Sequence, residues 1–317
     1  MIKKLLIYNS GGGIGDSIQL FTLILSLENL FKESEIYYLG AHENHYLSRL
    51  KEYNIKVKNL DLGLKYFGFR WWHLFVARKN FSKLKLDKFD LIIDCQSKLR
   101  NTIILKQIPS KAFYSPTFNN IFCSRLEKPA KKFSSDLKVA KYDIKNIPKR
   151  YFDEASKLLP DKNYIGFSLT QGNVYRKKEW PLSKIIKLSD EVVQNNKIPV
   201  FFIEKKYHGL KHKIKNSIPS ALFPEHETEL ASPALVTCLG KRLDFAISID
   251  NGIMHMLSLA EIPMVVLFGP TSSKKFAPNY NDIILLDSKK LKNTSDINSI
   301  NVEDVLRELK LHSSFSY

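Results

Sequence analysis

Hydrophobic runs alternate with polar, glycine-containing segments along most of this chain. The run Leu5–Tyr8 predicts a buried strand, and apolar positions between Ile18 and Leu25 predict a largely buried helix after a glycine-rich turn. Further strands are predicted at Ile36–Leu39 and Leu91–Asp94. Strands that alternate with helical stretches are typical of a parallel sheet covered by helices, so the first half is expected to be α/β.

The pattern becomes polar over residues 139–163, where Pro148 and Pro160 flank a predicted short helix, and a second α/β series follows. Its predicted strands are Tyr164–Ser168, Pro199–Ile203, Phe245–Ile249 and Met264–Phe268. We therefore expect two Rossmann-like domains, residues 1–150 and 151–317. The closing helix, Val302–Leu311, could pack back on either domain.

Composition narrows the possible partners. The chain has 317 residues and 44% hydrophobic content, which is enough for two ordinary cores. Its 49 Lys and Arg against 32 Asp and Glu give a formal charge of +17. Such a charge favours nucleic acid, anionic lipid or phosphorylated glycan, although a lysine-rich solvated surface would show the same excess. No helix-turn-helix, RNA-recognition or zinc signature is present, so nucleic acid is not expected as a partner.

Cysteine usage and the N-terminus favour a cytoplasmic location. Cys95, Cys123 and Cys238 are scattered without a C-x-x-C pair, which predicts neither a disulfide framework nor a structural zinc site. Glycines and Asp16 interrupt the first apolar run, so no secretion signal is expected. No apolar stretch approaches the roughly 18 residues of a membrane span, so membrane contact is expected to be peripheral.

The first candidate site is the glycine-rich segment from Gly11 to Asp16, where Gly13 and Gly15 allow the backbone to approach a ligand. The acidic residue lies inside the segment rather than about 20 residues beyond it, as a dinucleotide fingerprint requires. A carboxylate there would repel a pyrophosphate, so Asp16 fits a general base acting on a hydroxyl. Capping of the next helix is an equally good interpretation of Asp16.

The second candidate site follows strands of the second half. Thr170 and the cations Arg176, Lys177 and Lys178 come after the strand that ends at Ser168, on a loop suited to holding a diphosphate. A solvated run of charge is the alternative.

The segment from Ser248 to Pro278 carries the strongest signal for a ligand. Asp250, Asn251, Gly252 and His255 form a polar turn and helix start, which could contact a sugar and a phosphate. Gly269 and Thr271 follow the next buried strand, at the sheet edge where α/β proteins bind ligands.

Two further groups lie in the first half. Asp94, Gln96 and Arg100 follow a strand and are expected to contact an acceptor, although Asp94 could instead cap the next helix. Aromatic and basic residues are interleaved from Lys65 to Lys88 around Trp71 and Trp72. They predict either a peripheral lipid-contact surface or an amphipathic helix with its tryptophans in the core.

Five motifs in order, GGGIGDS, FDLIIDCQSKLRN, KKEWPLSK, SIDNGIMHM and LFGPTSSKKFAP, resemble glycosyltransferase family 9, the heptosyltransferases of lipopolysaccharide core assembly. The resemblance implies the GT-B fold, two Rossmann-like domains facing across a cleft, with the acceptor on the first and the nucleotide sugar on the second. It also implies inverting, metal-independent transfer from ADP-heptose without a cofactor.

Matched motif by motif, the family's catalytic aspartate falls on Asp16 and its phosphate-binding lysine on Lys178. The donor-binding D-x-G-x-x-H motif falls on Asp250, Gly252 and His255. The expected partners are a nucleotide-sugar donor, a phosphorylated glycolipid acceptor and the inner face of the cytoplasmic membrane. A transferase using another nucleotide sugar for a different surface glycan is the alternative enzyme. A non-catalytic relative that binds nucleotide or glycolipid is the alternative from another class.

Overall fold

The structure is a computed structural model that describes residues 2–96, 98–116, 139–168 and 174–312. The chain divides into two compact units, Met1–Asp143 and Ile144–Tyr317. The division lies inside the polar segment, somewhat before the predicted boundary at 150/151. Within the described ranges, none of the helices combines the length and the apolar character needed to cross a membrane.

The first unit is built on a parallel sheet with the order β3-β2-β1-β4-β5. Its strands are β1 (Lys4–Asn9), β2 (Glu35–Gly40), β3 (Lys58–Asn59), β4 (Phe89–Asp94) and β5 (Ser110–Tyr114). The central strands β1 and β4 are apolar and buried on both faces, as continuous hydrophobic runs predict. The edge strands β3 and β5 were not predicted. Both residues of β3 are exposed, and only the last residue of β5 is buried.

Helices cover the first sheet. They are α1 (Ile14–Ile18), α2 (Phe21–Leu30), α3 (His73–Lys83) and α4 (Leu99–Leu105). The single helix predicted over 18–25 is therefore divided between α1 and α2. On α3 the side chains of His73, Ala77 and Phe81 are buried at helical spacing, whereas Trp71 and Trp72 are exposed. The alternative that placed the tryptophans in the core is wrong.

The second unit has a parallel sheet with the order β10-β9-β8-β6-β7. Its strands are β6 (Tyr164–Ser168), β7 (Ile198–Phe202), β8 (Phe245–Ile249), β9 (Met264–Phe268) and β10 (Ile283–Asp287). The predicted strands are all present to within a residue. The unpredicted β10 pairs only with β9, and most of its residues are partly exposed.

Helices of the second unit pack against this sheet. They are α5 (Lys149–Leu158), α6 (Leu182–Gln194), α7 (His208–Ser217), α8 (Pro233–Gly240), α9 (Gly252–Ser258), α10 (Ser273–Phe276), α11 (Ser288–Leu291) and α12 (Val302–Leu311). Short 3-10 turns lie at His45–Leu47, Lys51–Tyr53, Ile144–Asn146, Val174–Arg176, Pro224–His226 and Ile297–Ser299. The closing helix α12 inserts Val305 and Leu309 into the core of its own unit, which answers the question the sequence left open.

Each sheet has one point where the direction of strand order reverses. In the first unit it lies between β1 and β4, and in the second between β6 and β8. Open α/β sheets bind ligands beyond the carboxyl ends of the strands at such points. The polar residues that the sequence singled out lie directly after these strands, at Gly11–Asp16 and Asp250–His255.

Candidate functional site

An asparagine joins the two strands at the reversal point of the second unit. Asn251 Nδ2 donates to Ser168 Oγ at the end of β6, 2.6 Å away. Asn251 Oδ1 accepts from the Met254 backbone N–H at 3.0 Å and so caps α9. Both ends of this amide are used inside the protein, which holds the turn after β8 in place.

Lys178 and Asp250 form the central pair of this site. Lys178 Nζ lies 2.6 Å from Asp250 Oδ2 and 3.1 Å from the Asp250 backbone oxygen. Thr271 Oγ1 donates to the same Oδ2 at 2.5 Å. The Lys178 side chain is 14% exposed and that of Asp250 6%, so the pair is shielded from solvent screening. The structure thus brings together three residues that the sequence placed on three separate loops.

The segment that carries Lys178 is anchored on one side and strained on the other. Trp180 is buried and donates its Nε1–H to the Ile300 backbone oxygen at 3.0 Å. Lys177 has a backbone φ of +44°, a left-handed conformation that residues other than glycine seldom adopt. This turn directs Lys178 inward, while Arg176 and Lys177 remain exposed.

The remaining predicted donor residues differ in their placement. Gly252 is the first residue of α9, and His255 is buried on the same helix. Packing requires a glycine at position 269, because a Cβ there would lie 2.7 Å from the Cβ of Ile297. Thr170 lies outside the described residues. Direct contact of these residues with a donor stays a prediction.

In the first unit, the glycine-rich loop is folded closely around Asp16. Gly13 is the N-cap of α1, and its backbone N–H donates to Asp16 Oδ2 at 3.3 Å. A Cβ on Gly11 would lie 2.4 Å from Asp16 Cγ. Asp16 is therefore not the N-cap of α1, a position that Gly13 holds, but its side chain does accept from the N-cap backbone. The Asp16 carboxylate is partly buried.

Asn9, which the sequence did not single out, fixes this loop to the reversal point of its sheet. Its Oδ1 accepts from the Gly11 backbone N–H at 3.0 Å and from Gln96 Nε2 at 2.6 Å. Gln96 is buried, so this amide supports the loop in the present structure instead of facing a ligand. The signal for Asn9 was its position as the last residue of a central strand.

His42 is a second residue that sequence reasoning missed. A Cβ on Gly12 would lie 2.5 Å from His42 Cδ2, so the imidazole lies against the glycine loop. Partial desolvation lowers the pKa of His42 below its usual value, while the nearby Asp16 carboxylate acts in the opposite direction. The signal was available, since His42 follows β2 and β2 pairs with β1.

Asp94 does not line an open surface. It is fully buried and accepts hydrogen bonds from Thr102 Oγ1 at 2.5 Å and Ser115 Oγ at 2.8 Å. Burial raises its pKa to about 6 against the effect of these hydrogen bonds. Nor is it the N-cap of α4, a position that Lys98 holds. Acceptor contact by Asp94 would need a rearrangement.

Arg100 stabilises the turn that contains Gly68. Its Nε donates to the Gly68 backbone oxygen at 2.8 Å, and its guanidinium lies 6.0 Å from the centre of the Trp71 ring. The predicted acceptor residues thus form two groups, Gly13, Gly15 and Gln96 around the glycine loop and Arg100 beside the tryptophans. Among the described residues, no group of three or more His, Cys, Asp and Glu side chains is arranged to hold a metal ion.

Comparison with known proteins adds the following findings. The sequence profile of the family described as glycosyltransferase family 9 (heptosyltransferase) matches residues 118–304. A glycosyl transferase family 9 structure from Veillonella parvula has a TM-score of 0.68 at 16% identity, covering 98% of this chain and 96% of that chain. The heptosyltransferase WaaC of E. coli, solved with ADP, has a TM-score of 0.69 at 11% identity, covering 97% and 99%.

A UDP-GlcNAc 2-epimerase from Methanocaldococcus jannaschii has a TM-score of 0.55 at 15% identity, covering 98% of this chain and 100% of that chain. Comparison with curated protein sequences gives no match. At these identities the structural likenesses show the fold, and they confirm the predicted GT-B class with its two Rossmann-like domains. Since an epimerase shares the fold, the fold alone does not select the reaction. The family match spans more than half of the chain and supports glycosyl transfer.

Proposed function

The chain belongs to glycosyltransferase family 9, and from this premise we propose that it is an inverting heptosyltransferase. The proposed donor is ADP-heptose, and the proposed acceptor is a hydroxyl of the lipopolysaccharide core. The observation that supports this proposal best is the shielded contact of Lys178 with Asp250 and Thr271 at the reversal point of the second sheet. It provides a mobile positive charge where α/β sheets bind ligands.

In the proposed reaction Asp16 is the general base. The acceptor hydroxyl oxygen attacks the anomeric carbon of the donor on the face opposite the diphosphate, and its proton passes to the Asp16 carboxylate. The new bond between oxygen and the anomeric carbon forms as the bond to the diphosphate breaks. A single displacement of this kind inverts the configuration at that carbon.

Lys178 is proposed to stabilise the leaving group. The electron pair of the broken bond departs on the nucleoside diphosphate, which gains negative charge during the step. The Lys178 ammonium exchanges its Asp250 carboxylate for the diphosphate and offsets that charge. We propose that this lysine replaces a metal ion, and that the reaction uses no cofactor beyond the nucleotide-sugar co-substrate.

His42 has a supporting place in the proposal. Its pKa is lowered by burial, which favours the neutral imidazole, and a neutral ring adds no positive charge that would make Asp16 a weaker base. Its ring also limits the space beside Gly12. We propose that the enzyme acts in the cytoplasm at the inner membrane face, where a chain of formal charge +17 is attracted to phosphorylated glycolipid.

The proposal is tested by thermal shift and calorimetry with ADP, GDP, UDP and CMP and their common sugar conjugates. We expect selective stabilisation by ADP and ADP-heptose, and this result would justify a transfer assay with a core acceptor. Preference for UDP sugars would contradict the donor assignment and favour a different surface glycan. Absence of binding by all the nucleotides would contradict the enzyme and favour the non-catalytic alternative.

A further inference from the structure

The first unit exposes a group of large aromatic side chains. Trp71 is 56% exposed, Trp72 59% and Phe75 78%, and we refer to these three residues as the tryptophan face. The opposite side of α3 is buried in the core, so Phe75 lies on the outward stripe of the helix. Adjacent exposed aromatic residues on one surface indicate a binding function.

Positive charge surrounds the tryptophan face. Residues 62–86 contain six Lys and Arg and no Asp or Glu. Arg70 lies 5.8 Å from the centre of the Trp72 ring, and the exposed Arg78 and Lys79 follow Phe75 by about one helical turn. Aromatic rings next to cations suit a surface that is apolar at one depth and anionic at another.

A hollow next to this surface is also basic. It has a volume of about 340 Å³ and is lined by Arg78 and Lys106 together with residues 107–110 and Phe113. No acidic residue contributes to its lining. Two cations that line a small hollow match the negative charge of a phosphate headgroup.

The turn that presents the tryptophans is held in a defined conformation. Tyr66 and Gly68 both have positive φ, +55° and +85°. The Gly68 backbone N–H donates to His73 Nδ1 at 3.1 Å, and its carbonyl oxygen accepts from Arg100 Nε. A fixed turn presents its aromatic side chains without the entropy cost of ordering a flexible loop.

A chain of contacts joins this turn to the glycine loop. The rings of Tyr66 and Phe69 lie 5.3 and 5.4 Å from that of His42, edge to face. His42 in turn lies against Gly12, in the loop that carries Asp16. The aromatic surface and the proposed general base are therefore neighbours within one unit.

We propose that the tryptophan face, with Arg78, Lys79 and the adjoining hollow, docks on the surface of an anionic phospholipid bilayer. The rings enter the headgroup region and the cations pair with lipid phosphates. Where the proposed function also holds, this docking brings a lipid-linked acceptor to the same side of the unit as Asp16. Bilayer binding itself does not depend on the transfer reaction.

The test is co-sedimentation of the full chain with vesicles of phosphatidylcholine, with and without phosphatidylglycerol. We expect strong binding only to the anionic vesicles, weakened by salt because exposed charges are screened. The double variant Trp71→Ser/Trp72→Ser should bind at least about tenfold more weakly, since both rings leave the interface. Lys79→Glu should weaken binding several-fold.

Matched controls are available in the second unit. Tyr207 is 39% exposed and carries Lys206 5.0 Å from its ring centre, so Tyr207→Ser removes a comparable aromatic–cation pair. Lys213, exposed on α7, is the control for charge reversal as Lys213→Glu. Both variants should bind vesicles like the wild-type chain. Melting temperatures check that each variant is folded.

Several outcomes would overturn the proposal. One is that the wild-type chain does not bind anionic vesicles. Another is that the tryptophan variant binds them as strongly as the wild-type chain. A tryptophan-dependent dimer, or tryptophan-dependent binding of single-stranded RNA in place of vesicles, would assign the face to another occupant. A chain that binds vesicles through these residues but binds no nucleotide sugar would retain the docking surface and contradict only the proposed function.

Discussion

Lys178 and Asp250, separated by 72 positions in the chain, meet at 2.6 Å between Nζ and Oδ2, and both are largely shielded from solvent. In this structure the Asp250 carboxylate is bound to Lys178, the residue that we propose binds the donor diphosphate. A diphosphate must therefore compete with the Asp250 carboxylate for Lys178. When the diphosphate displaces Asp250, that carboxylate keeps its hydrogen bond from Thr271. The pair makes donor binding and the stability of the second unit interdependent.

Replacing Lys178 should weaken donor binding. Lys178→Met removes the charge-assisted contact with the diphosphate, and we expect the Kd of ADP and ADP-heptose to rise about 10- to 100-fold, measured by calorimetry. Lys213→Met is the control, because that side chain is exposed on α7 and should change the Kd little. Equal affinities in the two variants would refute the assignment of Lys178.

The coupling between Lys178 and Asp250 can be measured directly. Removing either partner takes the opposite charge of the ion pair away from a shielded charge, so we expect Asp250→Asn and Lys178→Met each to lower the unfolding free energy by about 2–4 kcal/mol. The double variant should lose less than the sum of the two, with an interaction energy above about 1 kcal/mol in denaturant unfolding. Additive losses would mean that the contact contributes nothing to stability.

Asp16→Asn should abolish most turnover while leaving the fold intact. The amide oxygen still accepts from the Gly13 N–H, but the side chain can no longer take a proton. We expect kcat to fall about 100- to 10,000-fold with donor affinity unchanged, in a transfer assay with calorimetry alongside. The control is Asp61→Asn, which alters an exposed aspartate that also accepts from a glycine N–H. Normal turnover in Asp16→Asn would exclude this residue as the base.

Alanine substitutions at two glycines can distinguish the cost of backbone strain from the cost of steric overlap. Gly63 and Gly68 both have positive φ, but a Cβ on Gly63 meets nothing within 4 Å, whereas on Gly68 it lies 2.7 Å from Tyr8 Oη. Gly63→Ala should cost about 1 kcal/mol of unfolding free energy, from the conformation alone. Gly68→Ala should cost about 2–4 kcal/mol, because Tyr8 and the turn must also move. Similar losses in thermal unfolding would show that the turn yields easily.

Glu225 should make the chain less stable as the pH rises. Burial, with a contribution from Glu204, raises its pKa from 4.5 to about 7, so the folded state binds the proton more tightly than the unfolded state. Stability is then favoured below pH 4.5 and lost progressively as the pH rises to about 7. Asp94, with a pKa of about 6, acts in the same direction.

Glu225→Gln removes the ionisation at that position. At pH 8 we expect the variant to be more stable than the wild-type chain by about 1–3 kcal/mol, and at pH 4.5 to differ little. Thermal unfolding across this range measures the difference. If the variant shows the same pH dependence of stability as the wild-type chain, Glu225 is not its cause. Asp94 would then be the next residue to test.

Much of the fold could be predicted because its central strands are defined locally. Strands such as β4 and β9 are buried on both faces, and their continuous apolar runs show this in the sequence. The two-residue strand β3 is exposed and has no such run, so it was missed. The strand β10 was missed although Ile283–Leu286 is an apolar run, and the first three residues of β10 are only partly buried or exposed. The break between α1 and α2 was also missed, since apolar positions continue across it from Ile18 to Leu25.

The candidate site was predicted in its residues but not in its contacts. Thr271, Asp250 and Lys178 were each identified from their place after a strand or on a basic loop, yet their meeting at one carboxylate depends on tertiary structure. Asp94 shows the converse, since its position at a strand end suggested a ligand and its side chain is buried instead. His42 became visible only when β2 was seen beside β1.

The packing of α12 has a consequence for the order in which the chain folds during synthesis. The sheet of the first unit is complete once β5 has emerged at Tyr114, whereas the core of the second unit also requires Val305 and Leu309. The ribosome therefore delivers all five described strands of the first unit before the second has begun to form. Until α12 arrives, the nascent second unit exposes apolar surface on β9, and it is then the half most dependent on chaperones.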